Sequence, residues 1–132
     1  QSANRYRNGY NDLRSKITFG LHATTQGQNL IGAIKAGLSA EKLLIEERHD
    51  SYHLRILIDT RTEQANSMGF DLARSAITLT TQNHLGSTLG SNKLNITGQS
   101  TQGYAIAREN VAIKLKHLID KEGIESILGL AF

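Results

Sequence analysis

Apolar side chains recur at every second position over residues 52–58, where Tyr52, Leu54, Ile56 and Ile58 alternate with His53, Arg55, Leu57 and Asp59. A period of two marks a strand with one buried face, and this one is expected to run on through polar residues to about Gln64. Ala73, Ser75, Ile77, Leu79 and Thr81 alternate in the same way with Arg74, Ala76, Thr78 and Thr80, which predicts the antiparallel partner. Residues 66–69 carry the turn chemistry that joins the two into a hairpin. Upstream, Ile17, Phe19, Leu21 and Ala23 alternate with Lys16, Thr18, Gly20 and His22, predicting a first strand. Downstream, Leu94 and Ile96 alternate with Lys93, Asn95 and Thr97 in a further strand that Gly98 is expected to close, after a connection over residues 83–90.

Elsewhere the period is helical. Thr25 with Gln28 has the spacing of a capping box, and Leu30, Ile31, Ile34 and Leu38 follow as a stripe through about Ser39. Gly37 and Ser39 argue for a break there, so that residues 42–47 form a short strand, although Leu43-Leu44-Ile45 also suits a longer helix. After Ser100, Tyr104, Ala107, Val111, Leu115, Leu118 and Ile119 share one helical face, opposite Arg108, Glu109, Lys114, Lys116 and Lys121. Gly123 stands where a left-handed C-cap belongs. Ile127, Leu128, Leu130 and Phe132 make an apolar tail that is expected to dock.

Burying two one-sided helices and a set of one-sided strands together requires two layers. The expected fold is therefore α+β, a two-layer sandwich with two helices on one face of a mainly antiparallel sheet of 4–5 strands. Residues 1–15, rich in Asn and Arg without a sustained period, are expected to be an exposed arm, and residues 16–132 a single domain. At 132 residues such a domain buries about two-thirds of its unfolded surface, enough for one core.

Composition narrows the chemistry. With no cysteine there are no disulfides, thiolate metal sites or cysteine nucleophiles, and either redox compartment suits the chain. The longest apolar runs are far below the ~20 residues of a membrane-spanning helix. Because the sequence begins at Gln1, it is expected to be a processed form or a fragment, with any signal or lipid anchor outside it. No Gly-x-Ser-x-Gly elbow occurs. Gly86 and Gly90 lack the following Lys-Ser/Thr of a phosphate loop and precede a strand instead of a helix.

His49, Asp50 and His53 are the densest titratable cluster, but they span a turn into a strand and lack further ligands, so a solvated turn is the expectation. His22, His84 and His117 fall singly on polar positions. Glu46 and Glu47, adjacent in sequence, would face opposite sides of a strand, which does not suit paired-carboxylate catalysis. Asn95-Ile96-Thr97 matches a glycosylation sequon inside a predicted strand and is discounted. The chain is expected to be non-enzymatic, with no cofactor and no metal.

Net charge is +3, and Arg5, Arg7, Arg14, Arg55, Arg74, Lys114, Lys116 and Lys121 offer phosphate contacts. They are dispersed, aromatics make up only 5%, and no aromatic-rich strand offers a base-stacking platform, so nucleic acid is an unlikely partner. The feature to follow is the hairpin over residues 52–81, whose outward positions are rich in Thr, Arg, Asn and Gln. Arg55, Arg61, Arg74, Thr78 and Thr80 are the candidate partner-binding surface, for a protein partner or for self-association through the sheet edge or hairpin. Membrane association is expected only through an anchor outside this chain.

The run Lys93-Leu94-Asn95-Ile96-Thr97-Gly98-Gln99-Ser100, leading into Ala105-Ile106-Ala107-Arg108-Glu109-Asn110-Val111-Ala112, resembles small bacterial envelope lipoproteins, in which a strand ending in Gly-x-Ser precedes a helix opening with Ala-Arg-x-Asn-Ala. Their architectures include the lipopolysaccharide-transport plug and curli-secretion lipoproteins. The resemblance covers about residues 16–123. It departs from the pattern at Val111, where a small Ala is usual, and in having no lipid-bearing cysteine. It implies a periplasmic or outer-membrane-tethered module that binds protein or assists assembly, and it carries over no functional residues because such proteins act through surfaces.

Overall fold

The period-two segments become strands and the helical stripes become helices. In the computed structural model, which describes residues 17–46 and 52–130, β1 (Thr18–Ala23) leads into a 3-10 turn (Thr25–Leu30) and helix α1 (Ile31–Ala40). Then follow β2 (Leu44–Ile45), the long strands β3 (Leu54–Ser67), β4 (Phe70–Asn83) and β5 (Thr88–Ser100), helix α2 (Tyr104–Glu122) and one further turn of helix, α3 (Ile124–Ile127). The arm expected over residues 1–15 lies outside the described residues.

The five strands lie in the order β2-β1-β3-β4-β5. β1 is parallel to both of its neighbours, and β3, β4 and β5 form an antiparallel meander that makes up most of the sheet. The α+β sandwich expected from the periodicities is the fold observed. All the helices cover one face, where register brings Phe19, Leu54, Ile56, Ile58, Ile77, Leu79 and Ile96 together under Leu30, Ile34, Leu38, Val111, Leu115, Ile119, Ile124, Ile127 and Leu128. Each of those residues is at most 9% exposed. Burying so many branched side chains at about 25 cal/mol per Å² of apolar area drives the two layers together.

Details depart from expectation where a neighbour outweighs the local signal. Gly98 does not close β5; it lies inside it, and a Cβ there would meet the Ala107 carbonyl oxygen and come within 2.8 Å of the Val111 backbone nitrogen. The glycine is where α2 rests on the sheet. Gly37 sits within α1, where a side chain would lie 2.6 Å from Ile119 Cγ2 of α2. The break expected after about Ser39 is found, with α1 ending at Ala40 and Lys42, at a φ of 60°, turning the chain into the short strand β2.

The capping box is not formed. The entry turn has Thr24 as its cap without a side-chain bond, and Gln28 Nε2 donates to the Ala23 carbonyl at 2.9 Å. Gly123 has the positive φ of a left-handed cap, 87°, but its ψ of 144° is extended, and it starts α3 directly. The tail docks as expected, with Ile127 and Leu128 at 1% and 0% exposure, while Phe132 lies outside the described residues.

Candidate interaction surface

Alternation along β3 and β4 sends every second side chain to the face without helices, and the register decides which of them meet. Asp59, Thr78 and Lys93 form one row across β3, β4 and β5; Arg61, Ala76 and Asn95 form the next; Glu63, Arg74 and Thr97 the third; and Leu57, Thr80 and Ser91 a row on the other side. All five residues expected at a partner surface, Arg55, Arg61, Arg74, Thr78 and Thr80, therefore stand on this one face. Arg55 is tied down, its Nη2 donating to Gln82 Oε1 at 2.9 Å in the same row. The side chains of Arg61, Arg74 and Lys93 make no hydrogen bond or ion pair among the described residues. Ala76, the smallest side chain of the patch, leaves a hollow of about 400 Å³ bordered by Asp59, Arg61, Thr78, Lys93 and Asn95.

At the other end of the face the surface is aromatic. Gly20 of β1 has no room for a side chain because the Tyr52 ring lies against it, its Cγ 2.7 Å from where a Cβ would be. His22 meets that ring edge-on at 5.8 Å between centroids. Tyr52, Arg55, Asn83, His84, Leu85 and Gly86 border a second hollow of about 430 Å³. The bare face thus carries a mixed-charge centre and an aromatic end.

His53 has another role than ligation. Its Nδ1 accepts the Thr18 amide at 3.2 Å and lies 3.0 Å from the Thr18 hydroxyl, which holds the start of β3 to β1. His49 and Asp50 lie outside the described residues, and among the described residues no group of three potential metal ligands converges.

The sheet edge behaves differently from the bare face. Lys114 Nζ of α2 donates to the Thr97 carbonyl of β5 at 2.6 Å, and Asn110 Nδ2 donates to the Gln99 carbonyl at 2.7 Å. Toward the other end of β5, the backbone at Gly129 lies against Ser91, so closely that a Cβ on Gly129 would be 2.5 Å from the Ser91 oxygen. The edge expected to be open for strand addition is thus occupied at both ends. Sequence reasoning placed Lys93 on a polar strand face but did not group it with Arg61, and it took Lys114 for an ordinary solvated cation. The signal for the latter was a polar pair four residues apart beside the apolar stripe of α2. The apolar hairpin tip was also passed over: Met68, 95% exposed, forms the two-residue turn with Gly69, both at positive φ, and Phe70, 38% exposed, follows it.

No model of a known protein family matches the sequence, and no curated protein matches it. Solved structures do. A minor lipoprotein from Acinetobacter baumannii superposes with a TM-score of 0.55 at 12% identity, covering 79% of this chain and 90% of that one. A DUF330 protein from Xanthomonas campestris gives 0.56 at 10% identity, covering 83% and 85%. A lipoprotein from Neisseria meningitidis gives 0.53 at 8% identity, covering 80% and 96%. No helix among the described residues is long and apolar enough to cross a membrane. The resemblance expected from the β5–α2 segment is therefore found in three dimensions: this chain has the fold of small bacterial lipoproteins.

Proposed function

We propose that this chain is a non-catalytic module of the bacterial cell envelope, periplasmic or tethered to the outer membrane, that binds a protein partner through the helix-free face of its meander. One observation carries the reading: the side chains of Arg61, Arg74 and Lys93, without a partner among the described residues, stand on a single helix-free sheet face, Arg61 and Lys93 at the border of the hollow at Ala76. A monomer's large polar sheet face is ordinary, but unpaired cations interleaved with Asp59 and Glu63 give that face a charge pattern. Such a pattern selects a partner by complementarity more than it adds raw affinity. It suits a protein surface of mixed charge better than a uniform polyanion, since two carboxylates would face the phosphates of a nucleic acid. The lipoprotein names of two structures sharing the fold support the envelope assignment.

A photo-crosslinking amino acid placed at Arg61 or Thr78, and as a control at Glu109 on the solvent side of α2, tests the reading in a Gram-negative host expressing the protein from its natural gene. Discrete adducts from the first two positions and none from the third, in the envelope fraction, are expected. Adducts from Glu109 alone, or a protein confined to the cytosol, would refute it. If adducts are instead nucleic acid, with affinity falling steeply as salt rises, the chain is a basic nucleic-acid module.

A further inference from the structure

The hollow at the aromatic end of the bare face differs from the one at Ala76 in what borders it. Tyr52, Arg55, Asn83, His84, Leu85 and Gly86 supply a guanidinium, an imidazole and apolar surface, and none of them is a carboxylate. Register places Gly20, Arg55, Gln82 and Thr88 in one row across β1, β3, β4 and β5. Gly20 leaves room over β1, and the Tyr52 ring lies in that room, on the strand next to that of Arg55. On the other side Gln82 Oε1 accepts from Arg55 Nη2 at 2.9 Å and fixes the guanidinium. Gln82 is neutral, and no acidic side chain among the described residues pairs with Arg55, so the charge is held in place without a counter-ion. The loop beyond β4 is fixed as well. Asn83 Oδ1 accepts the amides of Leu85 at 2.9 Å and Ser87 at 3.0 Å, and the Gly86 amide donates to the Asn83 carbonyl at 3.0 Å. That loop holds Leu85 outward at 78% exposure, an apolar side chain kept in water beside an arginine.

We propose that this hollow binds an apolar carboxylate, its charged end on Arg55 and His84 and its hydrocarbon between the Tyr52 ring and Leu85. A guanidinium carries several N–H donors in a fixed fork, so one bond to Gln82 leaves others to face the two oxygens of a carboxylate. Gln82 sets the fork before the ligand arrives, which lowers the ordering cost of binding. An imidazole keeps at least one N–H in either protonation state, and His84 brings it to the same border. The apolar walls decide between anions: an inorganic phosphate gains nothing from Tyr52 and Leu85, whereas a hydrocarbon attached to the carboxylate covers both. A volume of about 430 Å³ falls within the roughly 300–1,000 Å³ of small-ligand sites. A free organic acid and the C-terminus of a peptide ending in an apolar residue share this chemistry. The site stands apart from the partner surface around Ala76, so the outcome at one does not decide the other.

The test is a heteronuclear NMR titration of the full isotope-labelled chain with hydrocinnamate, a free phenyl acid, and with N-acetyl-phenylalanine, which stands for a chain terminus. N-acetyl-phenylalaninamide keeps the ring and loses the charge, acetate keeps the charge and loses the ring, and inorganic phosphate replaces the carboxylate. One or both acids should shift the amide signals of Tyr52, Arg55, His84, Leu85 and Gly86 and leave those of Ala76 and Asn95 in place, and the tighter of the two names the source. The amide and acetate should each bind at least about ten-fold more weakly, since each lacks half of the match. Arg55→Lys, which keeps the charge and loses the fork, should weaken binding to a similar degree. If that variant does not fold by circular dichroism, Leu85→Ser in the exposed loop should weaken binding at least about three-fold. Shifts that are absent or centred on Ala76, equal binding of the amide, tighter binding of phosphate than of either acid, or unchanged affinity in folded Arg55→Lys or Leu85→Ser would each overturn the proposal.

Discussion

The two faces of the sheet are made from the same strands, yet small residues do opposite things on them. On the covered face Gly98 admits the backbone of α2, and the neighbouring Ile96, Ile77 and Leu79 are buried. On the bare face Ala76, three rows further along the sheet, leaves a hollow that no described residue fills. A missing side chain means contact where a second layer is present and an empty site where it is not. The comparison teaches that a residue's size acquires meaning only through what packs over it.

The sharpest way to break that contrast is to enlarge the covered small residue. Gly98→Val would drive a side chain into the Ala107 carbonyl and the Val111 backbone, neither of which can swing aside, so α2 must lift from β5. A loss of roughly 3 kcal/mol or more is expected, in the range of severe overpacking. Thr97→Val, one residue along on the bare face, should change stability by no more than about 0.5 kcal/mol. Urea denaturation of the two variants checks this, and similar small losses from both would show that the contact between α2 and Gly98 is not tight.

A smaller effect separates neighbours on β4. Leu79 is fully buried, and Leu79→Ala should cost about 2–5 kcal/mol through lost transfer energy and the cavity left behind. Thr78→Ala should leave the melting temperature nearly unchanged while weakening photo-crosslinking from Arg61, since it alters the border of the hollow and not the core. If Thr78→Ala destabilises as much as Leu79→Ala, the bare face is not bare.

The faces were legible in the sequence because a strand's side-chain period is two whatever surrounds it. Once 52–58 and 73–81 were paired, the five residues Arg55, Arg61, Arg74, Thr78 and Thr80 had to share a side. The layer order followed from burying two apolar helix stripes. Events between elements distant in sequence were not legible. Gly37 and Gly98 look like breaks when read locally, and only the approach of α2 turns each into a contact. The 3-10 entry at Thr25 displaced the capping box because Gln26 and Gln28 found partners in Thr62 and Ala23. Lys114 and Asn110 carry no local mark of capping a strand seventeen and eleven residues away.

The smallest effect refines the comparison within β4, where Thr80 and Thr81 are successive residues on opposite faces. Thr81 is fully buried between Ile56 and Gly90, and its hydroxyl has no hydrogen-bond partner among the described residues. A buried hydroxyl left without a partner loses its water and gains nothing in return, at a cost of about 1–3 kcal/mol. Valine has nearly the same shape and no such group. Thr81→Val is therefore expected to stabilise the protein by about 1 kcal/mol, a gain of about 3–5 °C in melting temperature for a chain of this length. Thr80→Val, on the partly solvated face, should shift the melt by less than about 1 °C, because water already satisfies its hydroxyl. Differential scanning calorimetry on both variants decides the matter: a fall in stability for Thr81→Val would mean that the hydroxyl is held by a bound water, and that the covered face is wetter than its packing implies.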